Sequence, residues 1–232
     1  MIVKLADIVI EIKSRYKYTF DMCKDYLIDT DEKPVFTVFA TNEQIEEERA
    51  KTPQFPTPML ENTCIYKNIC TELLKYDGIL IHSAAISVDN KAYLFSAKSG
   101  TGKTTHMNFW LDKFKDRAFV INGDKPVLRL IDGVMYVFGT PWCGKEGIQK
   151  NIKVPLDAFY ILTRSENNTI REASKKEFFM TLFSQTHHPD DKVLNDKMLE
   201  NIEKIITHSK GFYLGCNKNP DACDVAYSIL GY

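Results

Sequence analysis

The sequence lacks a surplus of basic charge, a cysteine framework and any long apolar run, and each absence removes a class of function. Its 232 residues carry 30 basic and 31 acidic side chains, a formal net charge of −1. Binding a phosphate backbone needs clustered Lys and Arg, so nucleic acid is not the expected partner. The cysteines Cys23, Cys64, Cys70, Cys143, Cys216 and Cys223 form no CxxC pair and no zinc-ligand spacing, and they read as reduced thiols. The opening MIVKLADIVIEIKSRYK holds a short apolar run broken by Asp7, Glu11 and Lys13. That is not the continuous apolar core of a signal peptide. No window nears the roughly 18 apolar residues of a membrane span. A soluble, cytoplasmic protein is expected, with no membrane partner.

What is present is enough apolar content, 44%, for one large domain or one domain with a small accessory part. From Met1 to about Ala40 the text reads as strands: IVIEIK alternates, YLIDTD is a short run into a turn, and VFTVFA is β-branched and aromatic. Thr41 and Gln44 spell a capping box that opens the helix NEQIEEERAK. Pro53, Pro56 and Pro58 make KTPQFPTP a loop. That loop marks a seam between an N-terminal accessory α+β region, residues 1–58, and the remainder, 59–232. Ile65, Ile69 and Leu73 then line one helical face, which stops at Asp77-Gly78.

Two strands, ILIHSAAISV and KAYLFS, meet at Asp89-Asn90, and a helix runs from about Lys103 to Phe114. The strand AFVIN leads to Gly123-Asp124, and VLRLI and MYVFG form a hairpin on Asp132-Gly133. The strand DAFYILTR, the helices SKKEFFMTLFSQT and DKVLNDKMLENIEKIITHS, the strand GFYLGC and the helix PDACDVAYSIL complete the chain. This order predicts an α/β fold.

The chemistry concentrates in AYLFSAKSGTGKTTH. Ala97 to Thr104 fits [AG]-x-x-x-x-G-K-[ST], with a strand before it and a helix after it, as a phosphate loop requires. Gly100 and Gly102 open backbone angles that let successive amides face phosphate oxygens. Lys103 supplies charge to the β- and γ-phosphates, and Thr104 a hydroxyl for Mg²⁺. Ser99, Gly100, Thr101, Gly102, Lys103, Thr104 and Thr105 are therefore the expected nucleotide contacts, with ATP or another nucleoside triphosphate as ligand. Ala97 only starts the turn and is a mild departure. A chance glycine turn is the competing reading, and the eight-position fit weighs against it.

Asp124 stands 21 residues after Lys103, which suits one helix and a strand returning beside the first. There it could hold Mg²⁺ or take a proton from a hydroxyl, the alternative being an ordinary turn Asp. His82, inside an apolar strand, is on its own more often a core residue than a functional one. His106 shares a helix face with Lys103 and reads equally as substrate-facing or as a partly exposed helix residue. In GTPWCGKEG, Trp142 offers a surface and Lys145 a charge; that loop reads evenly as a clamp or as plain structure.

Together LIHSAAI, FSAKSGTGKTTH and INGDKPVL stand in the order and spacing of the HPr kinase/phosphorylase catalytic domain, a relative of ATP-dependent phosphoenolpyruvate carboxykinase. The whole chain resembles small HPr-kinase-like proteins of clostridial type. The resemblance implies a mixed β-sheet, Asp124 as general base toward a serine hydroxyl, and His82 beside the transferred phosphate. The family's second acid after the catalytic aspartate is Lys125 here, and its downstream segment with a glutamate and an arginine before a glycine-rich turn is missing. The expected function is an ATP-dependent kinase that moves the γ-phosphoryl group to a hydroxyl acceptor, such as a serine of a protein or peptide. Mg²⁺ is expected at Thr104 and Asp124, with His82, Lys103 and Lys145 stabilising charge. The alternatives are a non-catalytic nucleotide sensor and, more distantly, a carboxykinase-like enzyme.

Overall fold

Among the described residues, tight two-residue turns at Ala6-Asp7, Asp89-Asn90 and Asp132-Gly133 join three strand hairpins. The computed structural model describes residues 1–98 and 100–231. Strands β1 (Ile2–Leu5) and β2 (Ile8–Lys13) form a hairpin over Ala6 and Asp7, both at positive φ, the backbone that twisted hairpins favour. Helix α1 (Lys17–Cys23) occupies a stretch that reads as strand. Thr19, Cys23 and Tyr26 recur at helical spacing and are all buried, so burial on one face decides the conformation. Strand β3 (Phe36–Phe39) then pairs parallel to β2. Helix α2 (Asn42–Lys51) starts from the expected Thr41–Gln44 capping box. Helix α3 (Thr57–Leu73) begins with Pro58 in its first turn and buries Ile65, Ile69 and Leu73 completely. Its apolar side joins one core with β1 and β2, and that core reaches Trp142.

Among the described residues the larger sheet has nine strands and is mixed. Strands β4 (Gly78–Leu80), β5 (Ala84–Val88) and β6 (Lys91–Ser96) lead to helix α4 (Lys103–Phe114) and strand β7 (Ala118–Asn122). The hairpin β8 (Val127–Ile131) and β9 (Val134–Phe138) follows, then the long β10 (Lys153–Arg164) and the short β11 (Thr169–Glu172). Helices α5 (Lys175–Ser184) and α6 (Lys192–His208), strand β12 (Lys210–Cys216) and helix α7 (Asp221–Ser228) close the chain. Along the main path the order is β4-β8-β9-β10-β6-β5-β7, and β12 pairs with both β10 and β11.

Alternation along β6 and β10 splits the core. Tyr93, Phe95 and Tyr160 face Trp110 of α4 and Ala226 of α7, whereas Leu94, Phe159 and Ile161 face Phe178 of α5 and Ile202 of α6. Both sheet faces are covered, so these strands read as continuous apolar runs. Among the described residues no helix is long and apolar enough to cross a membrane.

Strand direction sets the site. β6 runs parallel to β10, and β5 runs antiparallel to both β6 and β7. The start of β5 and the ends of β6, β7 and β10 therefore share one sheet edge. Asp124 does not lie on a strand beside the loop strand as its spacing suggests, because β5 is inserted between β6 and β7. Nor does His82 sit within a strand. Residues 81–83 leave the ladder, as the amide of Ile81 donates to Pro126 O, that of His82 to Gln185 O and that of Ser83 to Asp124 O. This detour carries His82 to the same edge.

Candidate active site

The loop after β6 is shaped by its backbone. Ala97 is buried at the end of the strand, and Gly100 (φ +76°) and Gly102 (φ +121°) take angles that L side chains rarely adopt. The Thr101 amide donates to Lys98 O at 3.2 Å, and the Arg164 guanidinium reaches over from the end of β10 to Gly100 O at 2.7 Å. Ser99 lies outside the described residues. Lys103 is the first residue of α4, so its ammonium and the helix's free amides stand together. Thr104 donates its hydroxyl to Glu146 Oε1 at 3.3 Å, and Thr105 is exposed.

Asp124 is aimed by a buried polar knot. Asn122 Oδ1 accepts the amides of Asp124 (2.9 Å) and Lys125 (2.7 Å). Its Nδ2 donates to the Thr140 carbonyl at 3.0 Å, and the Thr140 hydroxyl donates to Lys125 O at 2.7 Å. Asn122 and Thr140 are fully buried, so the turn is held at three backbone groups, and a lost partner there would strand a buried polar group. Two glycines of GTPWCGKEG, Gly139 and Gly144, close this wall. A Cβ on Gly139 would lie 1.9 Å from Lys150 O, and one on Gly144 2.9 Å from Asp124 Cβ and 3.5 Å from Glu146 Oε2. Glu146 thus brings a second carboxylate near Asp124.

His82 stands between the loop lysine and the carboxylate. Its Nε2 is 3.0 Å from Asp124 Oδ1 and 3.2 Å from Lys103 Nζ. One ring nitrogen cannot serve both partners. Protonated, it donates to Asp124; unprotonated, it accepts from Lys103. Lys125 pairs with the other carboxylate oxygen, Oδ2. Burial alone would raise the Asp124 pKa, but hydrogen bonds from His82 and Lys125 outweigh it and hold the group at about 2. Burial lowers the Lys103 pKa, the charge of Asp124 opposes that shift, and Lys125 adds to it. The cluster is an anion-ready lysine coupled through a histidine to an ionised carboxylate.

The remaining sequence candidates divide. Lys145 is exposed in the turn beside Glu146. Trp142 is buried as a wall, 5.3 Å from the Tyr66 ring of α3. His106 faces no substrate. It is 2% exposed, accepts a hydrogen bond from Trp110 Nε1 at 3.1 Å and packs on Phe95, and burial lowers its pKa to about 4. The helix face it shares with Lys103 is here the core face, one turn below the loop.

Glu146, Arg164, Asn122 and Tyr66 escaped the sequence reading. A polar Asn closing an apolar strand before Gly-Asp, and an Arg closing DAFYILTR, were the available signals. A cavity of about 710 Å³ extends from the loop past Arg164 and Tyr213 to Met180 and Gln185, within the usual size of a small-molecule pocket. Among the described residues no three His, Cys, Asp or Glu side chains gather as a metal centre.

No family model matches the chain, and no curated protein matches it in sequence. Among solved structures, the HPr(Ser) kinase/phosphatase from Coxiella burnetii matches with a TM-score of 0.32 and 10% identity, over 55% of this chain and 92% of that one.

Proposed function

We propose that the chain is an ATP-dependent phosphotransferase acting on a hydroxyl group, with the site at the shared sheet edge. The observation that carries this reading is the cluster of Lys103, His82 and Asp124 standing over a glycine loop at a helix start. A loop alone holds phosphates; a histidine-linked carboxylate beside it adds a proton acceptor aimed at the same place.

In this reading the loop amides and Lys103 bind the β- and γ-phosphates, and the cavity beneath α5 takes the rest of the nucleotide. Thr104, Asp124 and Glu146 are hard oxygen donors, the set that suits Mg²⁺ bound partly through phosphate. The ion would supply charge neutralisation on the β- and γ-oxygens. Asp124 receives the acceptor's hydroxyl proton, and His82 holds Asp124 and bears charge near the moving group. A serine of a protein or peptide is the acceptor class that the family resemblance suggests. The chain's P-loop identity and its HPr kinase/carboxykinase type belong to the same proposal, as do its cytoplasmic setting and the division at residue 58.

A non-catalytic nucleotide sensor is the competing reading, favoured by one observation: Lys125 pairs with Asp124 Oδ2, which weakens that carboxylate as a base. Incubating the protein with γ-³²P-ATP, Mg²⁺ and a lysate or a panel of free hydroxyl compounds separates the two. The kinase reading expects label on an acceptor from wild-type protein and none from Lys103→Met. Tight ATP binding with no transfer and no hydrolysis across the panel would favour the sensor.

A further inference from the structure

Lys125 is the residue that the loop chemistry leaves unexplained. It stands where a base would be expected to face solvent or substrate, and it pairs with Asp124 Oδ2 while His82 engages Oδ1. Each carboxylate oxygen therefore carries a partner, although each keeps a second lone pair. A cation on a carboxylate oxygen lowers its basicity and crowds the approach of a hydroxyl, so departure of one partner favours transfer.

His82 is poorly placed to be that partner. Its backbone amide is tied to Gln185 O at 2.8 Å, and its ring is wedged between Asp124 and Lys103. Lys125 differs. Its amide and carbonyl are fixed by Asn122 and Thr140, but its long side chain is 32% exposed and can swing without disturbing the backbone. A flexible ammonium on a rigid base suits a charge that changes partner.

We propose that Lys125 is a catalytic residue that passes from Asp124 to the γ-phosphoryl group. This rests on the phosphotransferase reading above. With a triphosphate on the loop, the ammonium moves from Oδ2 to an equatorial γ-oxygen, exchanging one ion pair for another. Oδ2 is then open. The acceptor oxygen forms its bond to the γ-phosphorus as the bond to the β,γ-bridging oxygen breaks. The electron pair of that bond leaves with ADP, and the acceptor's proton goes to Oδ2. Base release is thereby tied to arrival of the phosphoryl group, and Lys125 adds positive charge where negative charge is redistributed in transfer.

The test needs no knowledge of the acceptor. ADP with Mg²⁺ and aluminium fluoride mimics the group in transit, and ADP with Mg²⁺ alone does not. Wild-type protein should bind the mimic more tightly than ADP. Lys125→Gln should lose most of that preference, on the order of 100-fold, while its affinity for ADP stays within a few-fold. Lys125→Arg, which keeps the charge, should retain a large part of it and shows that the position tolerates change. An unchanged preference in Lys125→Gln overturns the proposal. Equal loss of ADP and mimic binding in a folded Lys125→Gln also overturns it, because the lysine would then be a ground-state contact. A wild-type protein that binds no ADP would overturn the nucleotide reading itself.

Discussion

Gly100 and Gly102 on one wall of the site and Gly139 on the other are glycine for opposite reasons. In the loop after β6, a Cβ on Gly100 or Gly102 would meet nothing within 4 Å, and both residues sit at positive φ. Across the site, a Cβ on Gly139 would collide with the Lys150 carbonyl at 1.9 Å. The first pair is specified by backbone angle and faces open space; Gly139 is specified by packing of its wall against itself. Damage to the first should cost ligand, and damage to the second should cost the fold.

The largest expected effect lies in the packed wall. Gly139→Ala should destabilise the protein by more than about 4 kcal/mol or prevent folding, because backbone and not a flexible side chain must give way. Urea unfolding measures it, and a loss near zero would break the comparison.

The next effect tests how far the open region extends. His106 is only one turn into α4, yet its pKa is lowered from 6.5 to about 4 by burial. Between those pH values the unfolded chain takes up a proton that the folded chain refuses. Stability should therefore be intact above about pH 6.5 and fall as pH drops toward 4, by on the order of 3 kcal/mol. His106→Gln keeps an acceptor for Trp110 and should flatten that part of the stability–pH curve. A curve identical to wild type would mean the core does not begin at His106.

Smaller effects belong to the open wall. Lys103→Met should weaken ATP binding by about 10- to 100-fold, the worth of a charged hydrogen bond, with unfolding almost unchanged. Gly102→Ala should cost about 1 kcal/mol of stability through its φ, while titration calorimetry should show a clear drop in nucleotide affinity. If Gly102→Ala destabilised as much as Gly139→Ala, the two walls would not differ in kind.

What could be read from the sequence follows the same division. The loop, α4, the capping box at Thr41 and the hairpin at Asp132-Gly133 were legible because local backbone preference decides them. His106 was not, and His82 was only through the family resemblance, since each has its place fixed by distant partners. The amides around His82 bond to Gln185, Pro126 and Asp124, and His106 is enclosed by Phe95 and Trp110. Inserting β5 between β6 and β7 is likewise a long-range choice that spacing could not reveal. Glu146 reaches Thr104 across 42 residues of chain, and no motif announces it. The helix α1 was hidden by a mixed pattern, in which burial on one face prevails over strand-like composition.

The most direct test of the account is Asp124→Asn measured twice, for nucleotide binding and for transfer of the γ-phosphoryl group at matched occupancy. The account predicts ATP affinity within a few-fold of wild type and transfer reduced by roughly 10²- to 10⁴-fold. Transfer at the wild-type rate in Asp124→Asn would contradict it.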